Sequence, residues 1–471
     1  MNTIATIPSE VTLFKNVNVF DGKSEKLLEG YDVLVVKNLI MKIDRNIRIA
    51  DTYEIDVKTG GFKEVPSSEA EHHGYATGLV TVYEPETMVR KQVKVNVIDG
   101  TEQTLMPGLI DAHAHTMMSD IPLGTLLTAD LNYITLVHGQ AATQQLMRGF
   151  TAVRDVGGPA FGLKRAIDEG VIPGPRIWPS GATITQTSGH GDFRSPVHDL
   201  PRGVSGEHHF SERFGFSAIA DGRAEVLRAV REQLMKGASQ IKVMAGGGVA
   251  SNYDPLDVVQ YSEDEMRAAV EAASAWNTYV AVHTYTPAAI QQAIRAGVKC
   301  IEHAQLVDEE SVEMAVKAGV WLSLQPFLDD EDAIAFPEGS QNRQKMIQMT
   351  SGTDNAYNFA RKYGARIAWG TDTLFDTELA KKQGKQLAKM TRWFTPFEVL
   401  KMVTHDNAEL LAMSGPRNPY PGRLGVVEEG ALADLILVDG NPLQNIQLIA
   451  DPDQNFKVIM KDGRIYKKVL D

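Results

Sequence analysis

Cysteine is almost absent from this sequence of 471 residues, in which Cys300 is the single example. One thiol excludes an internal disulfide framework and any zinc module built from several cysteines. A bound metal must therefore use histidine, carboxylate or a less usual ligand.

An excess of positive charge is also absent. The chain has 47 Lys and Arg residues against 60 Asp and Glu residues, and its formal net charge is −13. This balance argues against nucleic acid or an anionic membrane as a partner.

Long apolar runs are missing as well, since none reaches the roughly 20 residues that a membrane-spanning helix needs. Residues 1–10 contain no basic segment followed by an apolar core, so no secretory signal is visible. We therefore expect a cytoplasmic protein.

From residue 105 onward, short apolar stretches alternate with segments of helical periodicity. This alternation is typical of βα units around a parallel sheet that is buried on both faces. Eight such units over about 290 residues predict a (β/α)8 TIM barrel with room for long loops. The predicted strands lie at 109–112, 151–156, 176–179, 240–244, 279–282, 300–301, 321–324 and 366–369, and the predicted helices at 132–148, 223–236, 262–276, 287–296, 308–318 and 355–363.

Both ends of the chain read as short alternating strands separated by turns. Asp439-Gly440 and Asp462-Gly463 are strong hairpin signals near the C-terminus. We expect residues 1–105, with an insertion at about 58–91, and residues 414–471 to combine into one small β-sandwich. Residues 106–413 then form the hydrolase barrel.

Two loops are too long to be simple connections. Residues 180–222 follow the third predicted strand and contain the motif Ser188-Gly189-His190-Gly191-Asp192, and residues 325–353 follow the seventh. Loops of this length in a compact domain usually cover or bind something. Both leave the carboxyl-terminal face of the predicted barrel, where active sites of this fold form.

Polar residues interrupt the apolar strands near their carboxyl ends. His113 and His115 are two residues apart and point to the same side of a strand. A buried lysine amine, if neutral, can take up carbon dioxide and become an anionic carbamate, and Lys242 lies inside the strand Gln-Ile-Lys-Val-Met. The predicted metal ligands are His113, His115, Lys242, His283, His303 and Asp372.

This ligand set is sufficient for two divalent metal ions bridged by the carbamate of Lys242. Zinc suits such nitrogen and oxygen ligands, and Mn²⁺, Co²⁺ and Fe²⁺ stay open. Each predicted ligand also has a purely structural alternative. The histidines could be ordinary core or surface side chains, Lys242 could pair with an acid, and Asp372 could be a helix N-cap.

The sequence resembles the amidohydrolase superfamily. The resemblance rests on Pro107-Gly108-Leu109-Ile110-Asp111-Ala112-His113-Ala114-His115, on Lys242, His283 and His303, and on Gly370-Thr371-Asp372, which match the branch with a carbamylated lysine between two metals. It implies a TIM barrel flanked by a β-sandwich, and a homo-oligomer.

More narrowly, residues 151–158 and 188–192 and the triplet His283-Thr284-Tyr285 look like Xaa-Pro dipeptidases, Lys/Arg-Xaa carboxypeptidases and ochratoxin-degrading amidases. In that group, residues matching His190 and Tyr285 contact the carbonyl or carboxylate of the substrate. The resemblance therefore implies a small-molecule substrate with a carboxylate.

The predicted function is hydrolysis of a peptide or N-acyl amino acid bond near a free carboxylate. A metal-bridging hydroxide attacks the carbonyl, which His190 helps to polarise, and Asp372 carries the water's proton to the leaving amine. Arg154 or a loop residue is a candidate to hold the carboxylate. The alternatives are hydrolysis of a carbamate, lactone or organophosphate ester on the same site, and a non-catalytic scaffold.

Overall fold

The computed structural model describes residues 10–48, 52–55, 62–64, 79–84, 89–195 and 208–469. The chain divides into two compact units, one of Met1–Leu109 with Gly422–Asp471 and one of Ile110–Pro421. Most of the insertion predicted at 58–91 lies outside the described residues. No helix in the described part of the chain is long and apolar enough to cross a membrane.

The N-terminal part of the first unit is built from strands. These are β1 Glu10–Val19, β2 Leu28–Val36, β3 Leu39–Asp44, β4 Thr52–Ile55, β5 Phe62–Glu64, β6 Leu79–Glu84, β7 Val89–Asp99 and β8 Thr104–Pro107. Strand β1 pairs antiparallel with β2 on one side and parallel with β7 and then β8 on the other. It is therefore the central strand of this unit.

The second unit contains all eight strands predicted for the barrel. Its strands are β9 Leu109–Ala114, β10 Phe150–Asp155, β11 Arg176–Pro179, β12 Thr183–Thr185, β13 Ser217–Ile219, β14 Ile241–Met244, β15 Val280–Thr284, β16 Cys300–His303, β17 Trp321–Leu324 and β18 Ile367–Trp369. The short strands β12 and β13 were not predicted, because three residues in a loop carry no readable period.

These strands form two sheets, one in the order β11-β10-β9 and one in the order β13-β12-β14-β15-β16-β17-β18. Within the described residues, no hydrogen-bonded ladder closes them into one ring. Side-chain amides connect the two sheets at both places where the strands are not paired. Gln240 donates to the carbonyls of Asp155 and Trp178 at 3.0 and 2.9 Å, and Asn407 donates to those of Ile110 and Trp369 at 2.7 and 2.9 Å.

Helices follow the strands and agree with the predicted pattern. Several begin at a side-chain cap, such as Ser262, which accepts a hydrogen bond from the backbone of Glu265. Gly237 and Gly297 end two others with left-handed φ angles of 101° and 100°. The helices are α1 Leu123–Thr128, α2 Leu131–Met147, α3 Phe161–Asp168, α4 Phe210–Arg213, α5 Gly222–Lys236, α6 Glu263–Ala275, α7 Pro287–Ala296, α8 Glu309–Ala318, α9 Gln341–Thr350, α10 Thr353–Lys362, α11 Thr377–Ala380, α12 Gln383–Lys389, α13 Pro396–Lys401 and α14 Asn407–Ala412.

The C-terminal segment returns to the first unit with β19 Leu435–Val438, β20 Phe456–Lys461 and β21 Arg464–Lys468, and with the short helices α15 Gln447–Ala450 and α16 Pro452–Asn455. Strand β19 pairs antiparallel with β8, so both chain ends share one branched sheet of eleven strands. Phe14, Val33 and Leu105 pack in one core with Leu435 and Val458. Both chain ends thus build one β unit, and its described strands share a single hydrogen-bonded sheet that branches at β1.

Candidate active site

The six predicted ligands meet at the carboxyl ends of the parallel strands. Strands β9, β14, β15 and β16 carry one of them each, His115 follows directly after β9, and Asp372 follows β18. They line one cavity: His113, His115, Lys242, His283, His303 and Asp372.

His113, His115 and Asp372 form the tightest group. The Nε2 atom of each histidine lies 3.2 Å from Oδ1 of Asp372. His113 Nε2 is buried and has no well-aligned hydrogen bond to any described residue. Two imidazoles and a carboxylate, with one buried nitrogen left without a hydrogen bond, fit a divalent metal ion.

The other ring nitrogens of the two histidines hold their rings in place. His113 Nδ1 lies 2.7 Å from Glu302 Oε2, and His115 Nδ1 lies 3.1 Å from the carbonyl oxygen of Gly157. A ring that donates from Nδ1 keeps the lone pair on Nε2, which is the atom a metal needs. Both Nε2 atoms are therefore presented as ligands.

His283 and His303 stand beside this group, with their ring centres 4.4 Å apart. Burial holds the pKa of both imidazoles well below the usual value. His303 Nδ1 lies 2.8 Å from Gln325 Oε1, and His283 Nε2 lies 3.1 Å from the carbonyl oxygen of Gly247. Both rings are thus neutral near pH 7, which is the form that binds metals.

Two of the proposed ligands also have a strained backbone. His303 and Asp372 have φ angles of 77° and 48°, which lie in the left-handed region that costs a residue with a side chain about 1 to 3 kcal/mol. Such strain is retained where the surrounding structure fixes it, often at a functional site.

Lys242 lies fully buried in β14 and lines the same cavity as the four histidines. Burial lowers the pKa of its ammonium, and the nearby carboxylates of Glu302 and Asp372 only partly oppose this. Among the described residues, its amine makes no ion pair closer than 4 Å and no hydrogen bond. A buried amine without a partner is a poor structural element and a reasonable site for carbamate formation.

Arg154 does not face the cavity, so it does not hold a substrate carboxylate as the sequence suggested. It is fully buried, and its Nη2 lies 2.7 and 2.8 Å from the two carboxylate oxygens of Glu302. Burial would raise the pKa of Glu302, but Arg154 and His113 outweigh it and hold the pKa well below the usual value. Arg154 therefore fixes the carboxylate that orients His113.

His190 and Tyr285 both line the cavity, next to His283. The ring of His190 stacks on that of His283 at 4.1 Å, and its Nδ1 lies 2.7 Å from Ser251 Oγ. The Nε2 atom is then the ring nitrogen that can meet a ligand. Tyr285 packs edge-on against His283 at 4.9 Å, and burial raises the pKa of its hydroxyl.

The cavity has a volume of about 300 Å³ and combines a polar floor with apolar walls. Apolar side chains come from the segments after β9, β17 and β18, including Leu123, Leu127, Phe327, Ile334 and Phe375. Arg194 and Lys389 also reach it, but Asp192 neutralises the first, and Asp330 and Asp332 neutralise the second. Small-molecule sites have this kind of lining.

Sequence reasoning missed two groups that support the site. Glu302 directly precedes the predicted ligand His303 in a buried strand, and a charged residue at a buried strand position is the signal that could have revealed it. Asp111 is buried beside His113, and its only signal in the sequence is its place in the motif at residues 107–115.

A model of the amidohydrolase family matches residues 104–467. Among curated proteins, the chain is 34% identical over 373 residues to an ochratoxinase of Aspergillus niger, which covers 77% of this chain and 75% of that protein.

Solved structures give the same picture. A prolidase complexed with N-methylphosphonate-L-proline has a TM-score of 0.79 and 31% identity, and the match covers 98% of this chain and all of that one. A Xaa-Pro dipeptidase with bound methionine has a TM-score of 0.75 and 26% identity, with 97% and 100% covered. The second unit is thus a TIM-barrel-like α/β fold, accompanied by an extra β unit.

Proposed function

The chain belongs to the amidohydrolase family, and from this premise we propose that it is a metal-dependent hydrolase of amide bonds. The observation that carries the proposal is the convergence of four imidazoles, one lysine amine and one carboxylate in a single cavity. The ochratoxinase and prolidase relatives support the choice of an amide as the scissile bond.

His113, His115 and Asp372 would hold one divalent ion, and His283 and His303 a second. A carbamate on Lys242 would add an anionic oxygen ligand to this set, and zinc is the metal that such nitrogen and oxygen ligands favour. When bound, such ions supply an activated water and polarise a carbonyl oxygen.

The proton is handled by Asp372. Its Oδ1 atom lies 3.2 Å from the Nε2 atoms of His113 and His115, and its Oδ2 atom lies 3.7 Å from His303 Nδ1. In the proposed reaction, this carboxylate takes a proton from the attacking water and delivers it to the leaving amine. His190 donates a hydrogen bond to the scissile carbonyl, and Tyr285 orients the substrate.

The substrate is proposed to be an N-acyl amino acid or a dipeptide with a large apolar group. Leu123, Phe327 and Phe375 offer apolar walls to such a group. Its carboxylate would meet Arg194 or Lys389, in exchange for part of the existing pairing with an aspartate. The homo-oligomeric state and the cytoplasmic location stay predictions from the sequence.

The experiment is a metal analysis combined with a substrate panel of N-acyl amino acids, dipeptides, carbamates, lactones and organophosphate esters. Two divalent ions per chain and a clear preference for amides are expected. Lys242→Ala should lose metal and activity together, and short carboxylic acids added with metal should partly restore both. Full hydrolysis by metal-free protein would refute the mechanism, and comparable turnover of esters would favour the alternative.

A further inference from the structure

The residues that surround His190 come from parts of the chain far from its own loop. We propose that Lys345, on helix α9, is a positioning residue for His190 and thereby for the substrate carbonyl. The proposal deepens the proposed function and rests on it for the role of His190. Lys345 is 6% exposed and is not among the described residues that line the cavity.

The ammonium of Lys345 makes its three hydrogen bonds to a single loop, which connects β14 to α6. Its Nζ donates to the carbonyl oxygens of Gly248, Ser251 and Asp254 at 3.0, 2.8 and 2.7 Å. Three charge-assisted hydrogen bonds to consecutive parts of a loop fix its path, because each carbonyl would be left without a partner if the loop moved. Asn342, one turn earlier, adds a hydrogen bond to the carbonyl of Val249 at 2.7 Å.

The same loop holds the ring of His190. Ser251 Oγ lies 2.7 Å from His190 Nδ1, and Asp254 Oδ2 lies 3.6 Å from that nitrogen. A Cβ atom on Gly248 would come within 1.9 Å of the ring, so the glycine backbone forms one wall of its position. The carboxylate of Asp254 is itself held by the backbone N–H of Gly248 at 2.8 Å.

A chain of contacts therefore runs from α9 through the loop 246–254 to His190. Lys345 sets the position of Ser251 and Asp254. These two residues in turn fix the position of the His190 ring and engage its Nδ1 atom, which leaves Nε2 for the substrate. A misplacement of about 1 Å in a group that contacts the reacting carbonyl is sufficient to slow a reaction by roughly a hundredfold. Lys345 should accordingly affect kcat/KM without touching the substrate.

The test is a mutant cycle. Lys345→Met is expected to lower kcat/KM by roughly ten- to hundredfold, Lys345→Arg to recover most of it, and Gln348→Met, on the exposed face of the same helix, to change nothing. In a His190→Ala background, Lys345→Met should have little further effect, because the residue through which it acts is gone. Gly248→Ala should likewise lower kcat/KM in the wild type and have little further effect in the His190→Ala background, because the three atoms nearest to its added methyl group all belong to the His190 ring.

A second measurement is independent of activity. In protein labelled with ¹⁵N-histidine, the ring signals of His190, assigned with His190→Gln, should shift in Lys345→Met and stay unchanged in Gln348→Met. Unshifted signals in a folded Lys345→Met protein, or a full additive loss in the His190→Ala background, would overturn the inference. Absence of amide hydrolysis in the wild type with the expected ring shifts would instead count against the proposed function alone.

Discussion

Asp111 Oδ2 accepts a hydrogen bond of 2.6 Å from the hydroxyl of Thr371. Its other oxygen accepts from the backbone N–H groups of Thr371 and His113, at 3.1 and 3.0 Å. One buried carboxylate thus ties the segment after β18, which carries Asp372, to the strand that carries His113. The relative position of two proposed ligands is set by a residue that binds no metal itself.

Thr371→Val should therefore weaken metal binding with little change in the fold. The substitution keeps the shape of the side chain but leaves a buried carboxylate oxygen with one hydrogen bond fewer, which typically costs 1 to 3 kcal/mol. Loss of a group that orients a ligand costs about 10- to 100-fold in metal affinity or activity. Metal titration of Thr371→Val and of Thr371→Ser, which keeps the hydroxyl, checks this. Equal affinity in the two variants would contradict it.

Glu302→Gln should destabilise the protein by about 3 to 5 kcal/mol. The change leaves the buried guanidinium of Arg154 without its counter-ion, and breaking one side of a buried pair is more costly than removing both sides. The double variant Arg154→Met with Glu302→Met should recover part of the loss in stability but not the activity, because His113 has lost its orienting carboxylate. Urea unfolding of the metal-free proteins gives the free energies.

Gly370→Ala should abolish metal binding. A Cβ atom there would lie 2.4 Å from both the Cβ and the backbone nitrogen of His113, and neither can move without displacing β9. Gly124→Ala is the matched control, because nothing lies within 4 Å of its Cβ position. Normal metal content in Gly370→Ala would show that the strand ends are more adaptable than their geometry indicates.

The stability of the metal-free protein should fall as the pH is lowered below about 6.5. Burial depresses the pKa of His283 and His303 in the folded state, so in this range the unfolded chain binds protons that the folded chain does not. Two such groups give a slope of about 2.7 kcal/mol per pH unit. Urea unfolding between pH 7.5 and 5.5 measures it. The double variant His283→Asn with His303→Asn should flatten the curve, and an unchanged slope would assign it to other groups.

Bound metal should oppose this loss, because a ligand that binds only the folded state adds about 4 kcal/mol of stability at a thousand times its dissociation constant. Scanning calorimetry with and without a chelator should show a large fall in Tm on chelation. The same chelator should have little effect on the Tm of Lys242→Ala. A Tm that chelation does not change would contradict metal binding at this site.

The sequence predicted the positions of the strands and of the six candidate ligands because both are local properties. A polar residue that interrupts an apolar strand is visible without knowledge of its neighbours, as with Lys242 and His283. The role of Arg154 was wrong for the converse reason. Its partner Glu302 is distant in the chain, and only the folded structure brings the two together. The loop 325–353 was predicted to lie at this face, and Phe327 and Ile334 from it do line the cavity, but a segment without a period does not reveal which of its residues form the walls.

The seam between the first and last strands of the second unit has a consequence for synthesis of the chain. Asn407 links the carbonyls of Ile110 and Trp369, and the proposed ligands His113 and Asp372 lie on opposite sides of that link. During synthesis, His113 and His115 are made long before Asp372 and before Asn407, whose side-chain amide links the two strands. Metal capture should thus come late, after residue 407 has left the ribosome, and a chain arrested earlier should carry no tightly held ion.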